Sequence, residues 1–153
     1  MSTQELDIYG TYPAIVTPFT PDGKTFDRES FSGLLRWLIV KGVDGVVVCG
    51  STGEGTALTR EEYTEVVSLA VSEISGKIPC IAGISVSSTA RACELGESAA
   101  GAGANGLLLV APPYNKPSQD GMFEHFRSVK SVCGLPIVAY NVPGRTSSNL
   151  LPA

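Results

Sequence analysis

Val43-Asp44-Gly45-Val46-Val47-Val48-Cys49-Gly50-Ser51-Thr52-Gly53-Glu54-Gly55 is the stretch of the 153-residue chain that decides its fold. Its first half is almost continuously apolar, which is typical of a parallel strand covered on both faces. Its second half has three glycines in six positions, so the backbone must turn tightly there. A capping box formed by Thr59 and Glu62 then predicts the start of a helix. This order predicts an α/β fold with a functional loop at residues 49–55.

The rest of the chain continues the alternation of strand and helix patterns. Apolar runs predict five strands, at residues 14–16, 43–48, 78–83, 105–110 and 135–140. Helical periodicity and capping residues predict four helices, at residues 27–42, 59–76, 88–100 and 118–134. Alternate units also resemble each other: residues 42–45 match 103–106, and residues 78–82 match 135–139. We therefore predict the first five strands and four helices of a (β/α)₈ barrel, with an open doubly wound sheet of flavodoxin type as the alternative.

Apolar positions indicate which side of each predicted helix faces the core. In the second helix they are Tyr63, Val66, Val67, Ala70 and Ile74, and in the fourth they are Phe123, Phe126 and Val129. His125, the only histidine, also lies in the fourth helix, and we expect it at the surface or in packing contacts. The four cysteines form no C-x-x-C pair, so we expect small buried thiols at Cys49, Cys80, Cys93 and Cys133.

Composition limits the functions that the chain can have. The net charge is −4 and the basic residues do not cluster, which disfavours binding to nucleic acid or to anionic membranes. No apolar stretch has transmembrane length and residues 1–10 do not form a signal peptide, so we expect one cytoplasmic domain. The sequence has no metal-ligand spacing, and the glycine loop matches neither nucleotide-binding motif. We therefore expect no metal and no cofactor.

Polar residues collect after the predicted strands, where the loops of a barrel converge on one face. They are Thr17, Ser51, Thr52, Glu54, Tyr114, Asn115, Lys116, Tyr140, Asn141 and Arg145. Tyrosine and serine hydroxyls can relay a proton, an arginine can bind a carboxylate, and the glycine loop can bind a small anion through its N–H groups. A strand-end aromatic at Tyr140 and a solvated Arg145 are the alternative interpretation.

Four segments together resemble the dihydrodipicolinate synthase / N-acetylneuraminate lyase family. They are Ala14-Ile15-Val16-Thr17-Pro18-Phe19, Gly50-Ser51-Thr52-Gly53-Glu54, Pro113-Tyr114-Asn115-Lys116-Pro117 and Tyr140-Asn141-Val142-Pro143-Gly144-Arg145-Thr146. The segments occur in the family's order and extend over nearly the whole chain. The resemblance implies a (β/α)₈ barrel in which a lysine forms a Schiff base with pyruvate.

The resemblance also implies roles for individual residues. Tyr140 would donate and accept the proton at the pyruvate-derived centre. Ser51 and Tyr114 would complete the proton relay, with Tyr114 reaching the site from a neighbouring subunit. The substrate-binding residues would be Ser51, Thr52, Gly53 and Arg145, with Thr52 at the carboxylate of pyruvate. An arginine at the position of Arg145 is typical of the dihydrodipicolinate synthases, where it binds the carboxylate of L-aspartate 4-semialdehyde.

The implied reaction joins pyruvate to L-aspartate 4-semialdehyde and gives 4-hydroxy-tetrahydrodipicolinate, in lysine and diaminopimelate biosynthesis. It implies small-molecule substrates and a homo-oligomer, a dimer of dimers. Ser51 stands where synthases more often have threonine, which favours the lyases of the family. A retro-aldol lyase for N-acetylneuraminate or a 2-keto-3-deoxy sugar acid is therefore one alternative, and a non-catalytic half-barrel is another.

In this family the Schiff-base lysine lies on the sixth strand, beyond Ala153. The lysines present are Lys24, Lys41, Lys77, Lys116 and Lys130, and none is predicted to end a strand. We expect residues 1–153 to be the N-terminal portion of a single barrel domain, truncated after the fifth strand and inactive alone. We also expect insensitivity to lysine, because Arg91 and Tyr63 stand where inhibited members have a carboxylate and an imidazole.

Overall fold

Four parallel strands form one sheet in the computed structural model, which describes residues 6–152. They are β1 (Val46–Val48), β2 (Cys80–Ile84), β3 (Gly106–Val110) and β4 (Ile137–Tyr140). All of β1 and β2 is buried, as their continuous apolar sequences predict, whereas β4 is only partly buried. The predictions for residues 1–5 and for Ala153 lie outside the described residues.

Helices follow the strands, and the predicted capping residues start the four long ones. The helices are α1 (Arg28–Val40), α2 (Arg60–Ile74), α3 (Thr89–Gly101), α4 (Gln119–Cys133) and α5 (Pro143–Thr146). Asp27 Oδ1 accepts from the Ser30 N–H at 3.0 Å, and Thr59 forms the predicted capping box with Glu62. These side chains satisfy N–H groups that have no partner inside the helix.

The order of the strands rejects the doubly wound alternative. Neighbours in the sheet are neighbours in the sequence, β1-β2-β3-β4, and all three pairings are parallel. A flavodoxin-type sheet instead places its first strand between the second and the third. Each long helix packs against the next one, so α1 to α4 form a single layer. The prediction of consecutive β/α units is confirmed, and the flavodoxin-type alternative is excluded.

The predicted counts of five strands and four helices differ from the structure. Residues 14–16 lie beside β1 but form only an isolated parallel bridge, between Ala14 and Val47. Pro13 and Pro18 lack the N–H groups that a longer ladder would need. The additional helix, α5, is a single turn with Pro143 at its start, too short for any periodicity in the sequence to predict.

The inner face of α4 also differs from the prediction. All five residues predicted for the α2 face are buried, but in α4 only Val129 is, and Phe123 is 64% exposed. The buried face of α4 consists of Met122, His125 and Val129. This stripe follows the spacing i, i+3, i+7, whereas the predicted one follows i, i+3, i+6, and both spacings are compatible with one face of a helix. The prediction took the aromatic side chains to be inside and so chose the wrong stripe.

His125 is a packing residue in the interior. Its Nδ1 lies 3.0 Å from the Thr89 hydroxyl, which joins α4 to α3. Its Nε2 is buried and has no hydrogen-bond partner in residues 6–152. Burial lowers the pKa of His125 below its ordinary value, because a charged ring would lose its hydration there.

Acidification is expected to destabilise the protein through His125. Its pKa is about 6.5 in the unfolded chain and lower in the fold, so the unfolded state binds more protons as the pH falls below about 6.5. The free energy of unfolding, measured in urea at about pH 7.5 and about pH 5.5, should fall more in the wild type than in His125→Asn. Asparagine keeps a polar group facing Thr89 but does not titrate. Equal losses in the two proteins would contradict the prediction.

Candidate active site

A pocket of about 220 Å³ lies at the carboxyl end of the sheet. Four successive segments line it, through Ser51, Thr56, Ser85, Val110, Pro113, Tyr140, Val142, Arg145 and Thr146. Ser51 follows β1 and Tyr140 ends β4, although two other strands separate these two in the sheet. The sheet therefore curls enough to bring its first and last strands to the same cavity.

The glycine loop after β1, residues 49–55, adopts a conformation that most side chains would prevent. Two hydrogen bonds close its turns. The Gly55 N–H donates to the Gly50 carbonyl at 3.1 Å, and the Glu54 N–H donates to the Ser51 carbonyl at 3.3 Å. A Cβ atom at Gly55 would lie 1.9 Å from the Cys49 carbonyl oxygen. Glycine is therefore required at position 55 by close backbone approach.

Backbone also meets backbone where the loop contacts β2. A Cβ atom on Gly83 would lie 2.6 Å from the Cys49 carbonyl oxygen and 2.7 Å from the Gly50 nitrogen. Such distances are well inside van der Waals contact, so the loop can take its position only while residue 83 is glycine. Gly83 thus determines how closely the loop packs against β2, and therefore where Ser51 lies at the pocket.

Three of the predicted site residues line this pocket. They are Ser51, Tyr140 and Arg145, from three separate parts of the chain. Arg145 is exposed and lies in α5, the single turn that follows β4. Among residues 6–152 it is the only charged residue that lines the pocket, and none of them contributes a carboxylate to it. The pocket therefore favours a small anion that binds Arg145. Further oxygen atoms of the same molecule can form hydrogen bonds with the hydroxyl groups of the pocket.

The other three predicted residues do not line the pocket. Thr52 is exposed, and Gly53 is buried beneath the loop with its carbonyl turned inward to Thr17. Tyr114 is 89% exposed and has a positive φ of 73°. Its side chain therefore points away from the pocket that its neighbour Pro113 lines.

Ser85, Thr56 and Thr146 line the pocket but were missed by the sequence predictions. Ser85 directly follows β2, so a polar residue after a strand end was a usable indication. Thr146 is buried, and its hydroxyl donates to the Ser148 carbonyl at 2.9 Å, which ties the end of α5 to the next residues. Thr56 belongs to the turn that leads from the glycine loop to α2.

The cysteines are not nucleophiles of this site. All four are free, Cys49 and Cys80 are buried, and Cys93 and Cys133 are partly buried. Burial raises the pKa of Cys80 to about 12 and raises that of Cys49 as well, so both remain protonated thiols. Within residues 6–152, no three His, Cys, Asp or Glu side chains are grouped as metal ligands would be. No helix in the described part of the chain is long and apolar enough to cross a membrane.

Consecutive β/α units with a pocket at the carboxyl ends of parallel strands are the arrangement of one half of a β/α barrel. The model of the dihydrodipicolinate synthetase family matches residues 7–153, and the chain belongs to this family. The family resemblance of the four sequence segments is thereby confirmed.

Relatives and solved structures agree with this assignment. The chain is 40% identical over 147 residues to the 4-hydroxy-tetrahydrodipicolinate synthase of Nitratidesulfovibrio vulgaris, covering 96% of this chain and 50% of the relative. It is 48% identical over 143 residues to that of Leptospira biflexa, covering 94% and 48%. A crystal structure of the chloride-inhibited Acinetobacter baumannii synthase, complexed with pyruvate, superposes with a TM-score of 0.91 at 41% identity, covering 94% and 49%. The chain spans about half the length of the curated relatives it matches.

Gly83→Ala should destabilise the protein by about 2–3 kcal/mol, because the new methyl group would overlap the backbone of the glycine loop. Gly33→Ala is the matched control, since Gly33 lies within α1 and a Cβ atom there meets nothing within 4 Å. That control should gain about 1 kcal/mol from the higher helix propensity of alanine. Chemical denaturation of both variants measures the two free energies. Equal stabilities for Gly83→Ala and the wild type would show that the loop does not depend on this contact.

Proposed function

We propose that this chain supplies part of an active site that condenses pyruvate with L-aspartate 4-semialdehyde, as a lyase of the class I aldolase type. The observation that carries the proposal is the convergence of Ser51, Tyr140 and Arg145 on one pocket. The names of the relatives support it, since they are 4-hydroxy-tetrahydrodipicolinate synthases. The volume of about 220 Å³ also suits small substrates, because pockets for drug-sized ligands start at roughly 300 Å³.

The proposed proton relay uses hydroxyl groups. Tyr140 acts as general acid and base at the pyruvate-derived centre, and Ser51 passes the proton on, since each hydroxyl can donate one hydrogen bond and accept another. Tyr114 completes the relay in a neighbouring subunit of a homo-oligomer. Its 89% exposure supports this assignment, because the side chain is available to a second chain.

The proposed substrate sites are anion sites. The amide nitrogens of Thr52 and Gly53 donate no hydrogen bond within the described part of the chain, so they are available to the carboxylate of pyruvate. Arg145 binds the carboxylate of the semialdehyde, for which a guanidinium group offers two parallel N–H donors.

We propose that no lysine of residues 6–152 is the nucleophile of this site. Within residues 6–152 no lysine lines the pocket, and a Schiff base requires an amine that reaches the keto carbon. Residues 1–153 are accordingly proposed to be the N-terminal portion of one (β/α)₈ barrel domain. On this basis we propose that the chain alone forms no Schiff base.

Two assays test the proposed function. The chain alone, incubated with pyruvate and borohydride, should show no covalent adduct by mass spectrometry, and a stoichiometric adduct on any lysine would contradict the proposal. A fusion of this chain to the second half of the Leptospira biflexa relative should condense pyruvate with the semialdehyde. Arg145→Gln should lower its kcat/KM for the semialdehyde at least about tenfold, because the substrate carboxylate loses its charged partner.

The same fusion tests the alternatives. Cleavage of N-acetylneuraminate or of a 2-keto-3-deoxy sugar acid, without condensation, would favour the retro-aldol lyases. Absence of every activity, while the Leptospira biflexa relative remains active, would favour a non-catalytic half-barrel.

Millimolar lysine should leave the activity of the fusion unchanged. Arg91 stands where inhibited members have a carboxylate, and its guanidinium lies 3.0 Å from Glu94 at the surface of α3. Tyr63 stands where they have an imidazole, but it is 1% exposed and its hydroxyl is inside the core. The guanidinium group of Arg91 has no acceptor for the inhibitor's ammonium groups, and the Tyr63 hydroxyl is buried out of their reach. Strong inhibition in an activity assay would contradict the prediction, and Arg91→Glu serves as the comparison variant.

A further inference from the structure

Thr17 lies directly beneath the glycine loop. It is 4% exposed, and its hydroxyl donates to the Gly53 carbonyl at 2.7 Å, across 36 positions of sequence. A Cβ atom on Gly53 would lie 2.8 Å from the Ile15 carbonyl oxygen and 3.1 Å from Thr17 Oγ1. The loop therefore rests on residues 15–17 with no space for a side chain between them.

Residues 15–17 are themselves held on both sides. The Ile15 N–H donates to the Val47 carbonyl of β1 at 3.0 Å, and the Asp27 N–H donates to the Pro18 carbonyl at 2.9 Å. The backbone around Thr17 is thus fixed to the sheet before it and to the start of α1 after it. The Thr17 hydroxyl therefore donates to the loop from a backbone that is held by hydrogen bonds on both sides.

One peptide group connects Thr17 to Ser51. The Gly53 carbonyl accepts from Thr17, and the N–H of the same planar peptide belongs to Glu54, which donates to the Ser51 carbonyl at 3.3 Å. Because the C=O and N–H of a trans peptide point in opposite directions, holding one end orients the other. The Thr17 hydroxyl thereby helps to set the backbone of Ser51, which lines the pocket.

We propose that Thr17 is a positioning residue, which holds residues 51–53 in the geometry that the pyruvate site requires. The proposal rests on the proposed function for its catalytic consequence, but its structural part does not. Thr17 does not line the pocket, so it acts through the loop and not on the substrate. Small displacements of such a loop are costly, since a misplacement of about 1 Å can reduce a rate about a hundredfold.

Three variants of Thr17 and one control separate this role from a general loss of stability. Thr17→Val keeps the shape without the donor, Thr17→Ser keeps the donor, and Thr17→Cys offers a weaker donor should the valine variant not fold. Thr20→Val is the control, because the Thr20 hydroxyl donates to Asp22 and accepts from the Thr25 N–H, so both of its hydrogen bonds stay within one surface turn.

The first measurement is backbone amide hydrogen exchange in the chain itself, which needs no activity. In Thr17→Val the exchange rates at Glu54 and Gly55 should increase at least about tenfold more than those in α2. In Thr17→Cys the increase should be smaller. Thr17→Ser and Thr20→Val should stay near the wild type. Unchanged loop exchange in the valine and cysteine variants, or equal acceleration in α2, would overturn the proposal.

The second measurement is steady-state kinetics in the fusion described above. Thr17→Val should reduce kcat/KM for pyruvate about 10- to 100-fold while leaving KM for the semialdehyde within about threefold, because Arg145 lies on a separate element. Thr17→Ser should restore the activity. A rise in KM for the semialdehyde as large as the fall in kcat/KM for pyruvate would overturn the positioning role. An inactive wild-type fusion would count against the proposed function alone, because the exchange experiment is independent of it.

Discussion

The contact between the backbone of residues 49–50 and Gly83 is the constraint on which the rest of the site depends. Two stretches of main chain approach closely enough that even a methyl group at residue 83 would overlap the Cys49 carbonyl. Close approach of this kind needs glycine on at least one side. It lowers the loop against β2, and Ser51 reaches the pocket from that position. A side chain between the two segments would lift the loop away from the sheet, and Ser51 with it.

The second requirement is the curl of the sheet. In a flat sheet β1 and β4 would lie about 14 Å apart, since neighbouring strands are about 4.8 Å apart. Yet Ser51, which follows β1, and Tyr140, the last residue of β4, line the same pocket. A single layer of helices outside a twisted sheet produces such curvature, because all crossovers lie on one face. The convergence of the site residues thus depends on the arrangement of α1 to α4, none of which lines the pocket.

The sequence predicted the local features of this architecture better than its side-chain directions. Local hydrogen bonding determines helix starts, so Asp27, Thr59 and Ser118 were identified correctly. The inner face of α4 was wrong, because a buried histidine bonded to Thr89 cannot be distinguished from a surface one by spacing. Ser85 was missed for a related reason. Its position directly after β2 was a usable local indication, but whether it reaches the pocket depends on the curvature of the sheet.

The loop after β3 has a backbone conformation that is unusual for the residues it carries. Tyr114 and Lys116 both have positive φ, 73° and 49°, although neither is glycine. Such backbone is rare for a bulky residue and costs of the order of 1 kcal/mol or more, so it persists only where other contacts compensate for it. Tyr114 is 89% exposed, so few contacts within its own chain can compensate for this strain. A strained backbone that carries an exposed tyrosine is consistent with a side chain whose compensating contacts lie in a second chain. That arrangement is the one required by the proposed role of Tyr114 as the third hydroxyl of the relay.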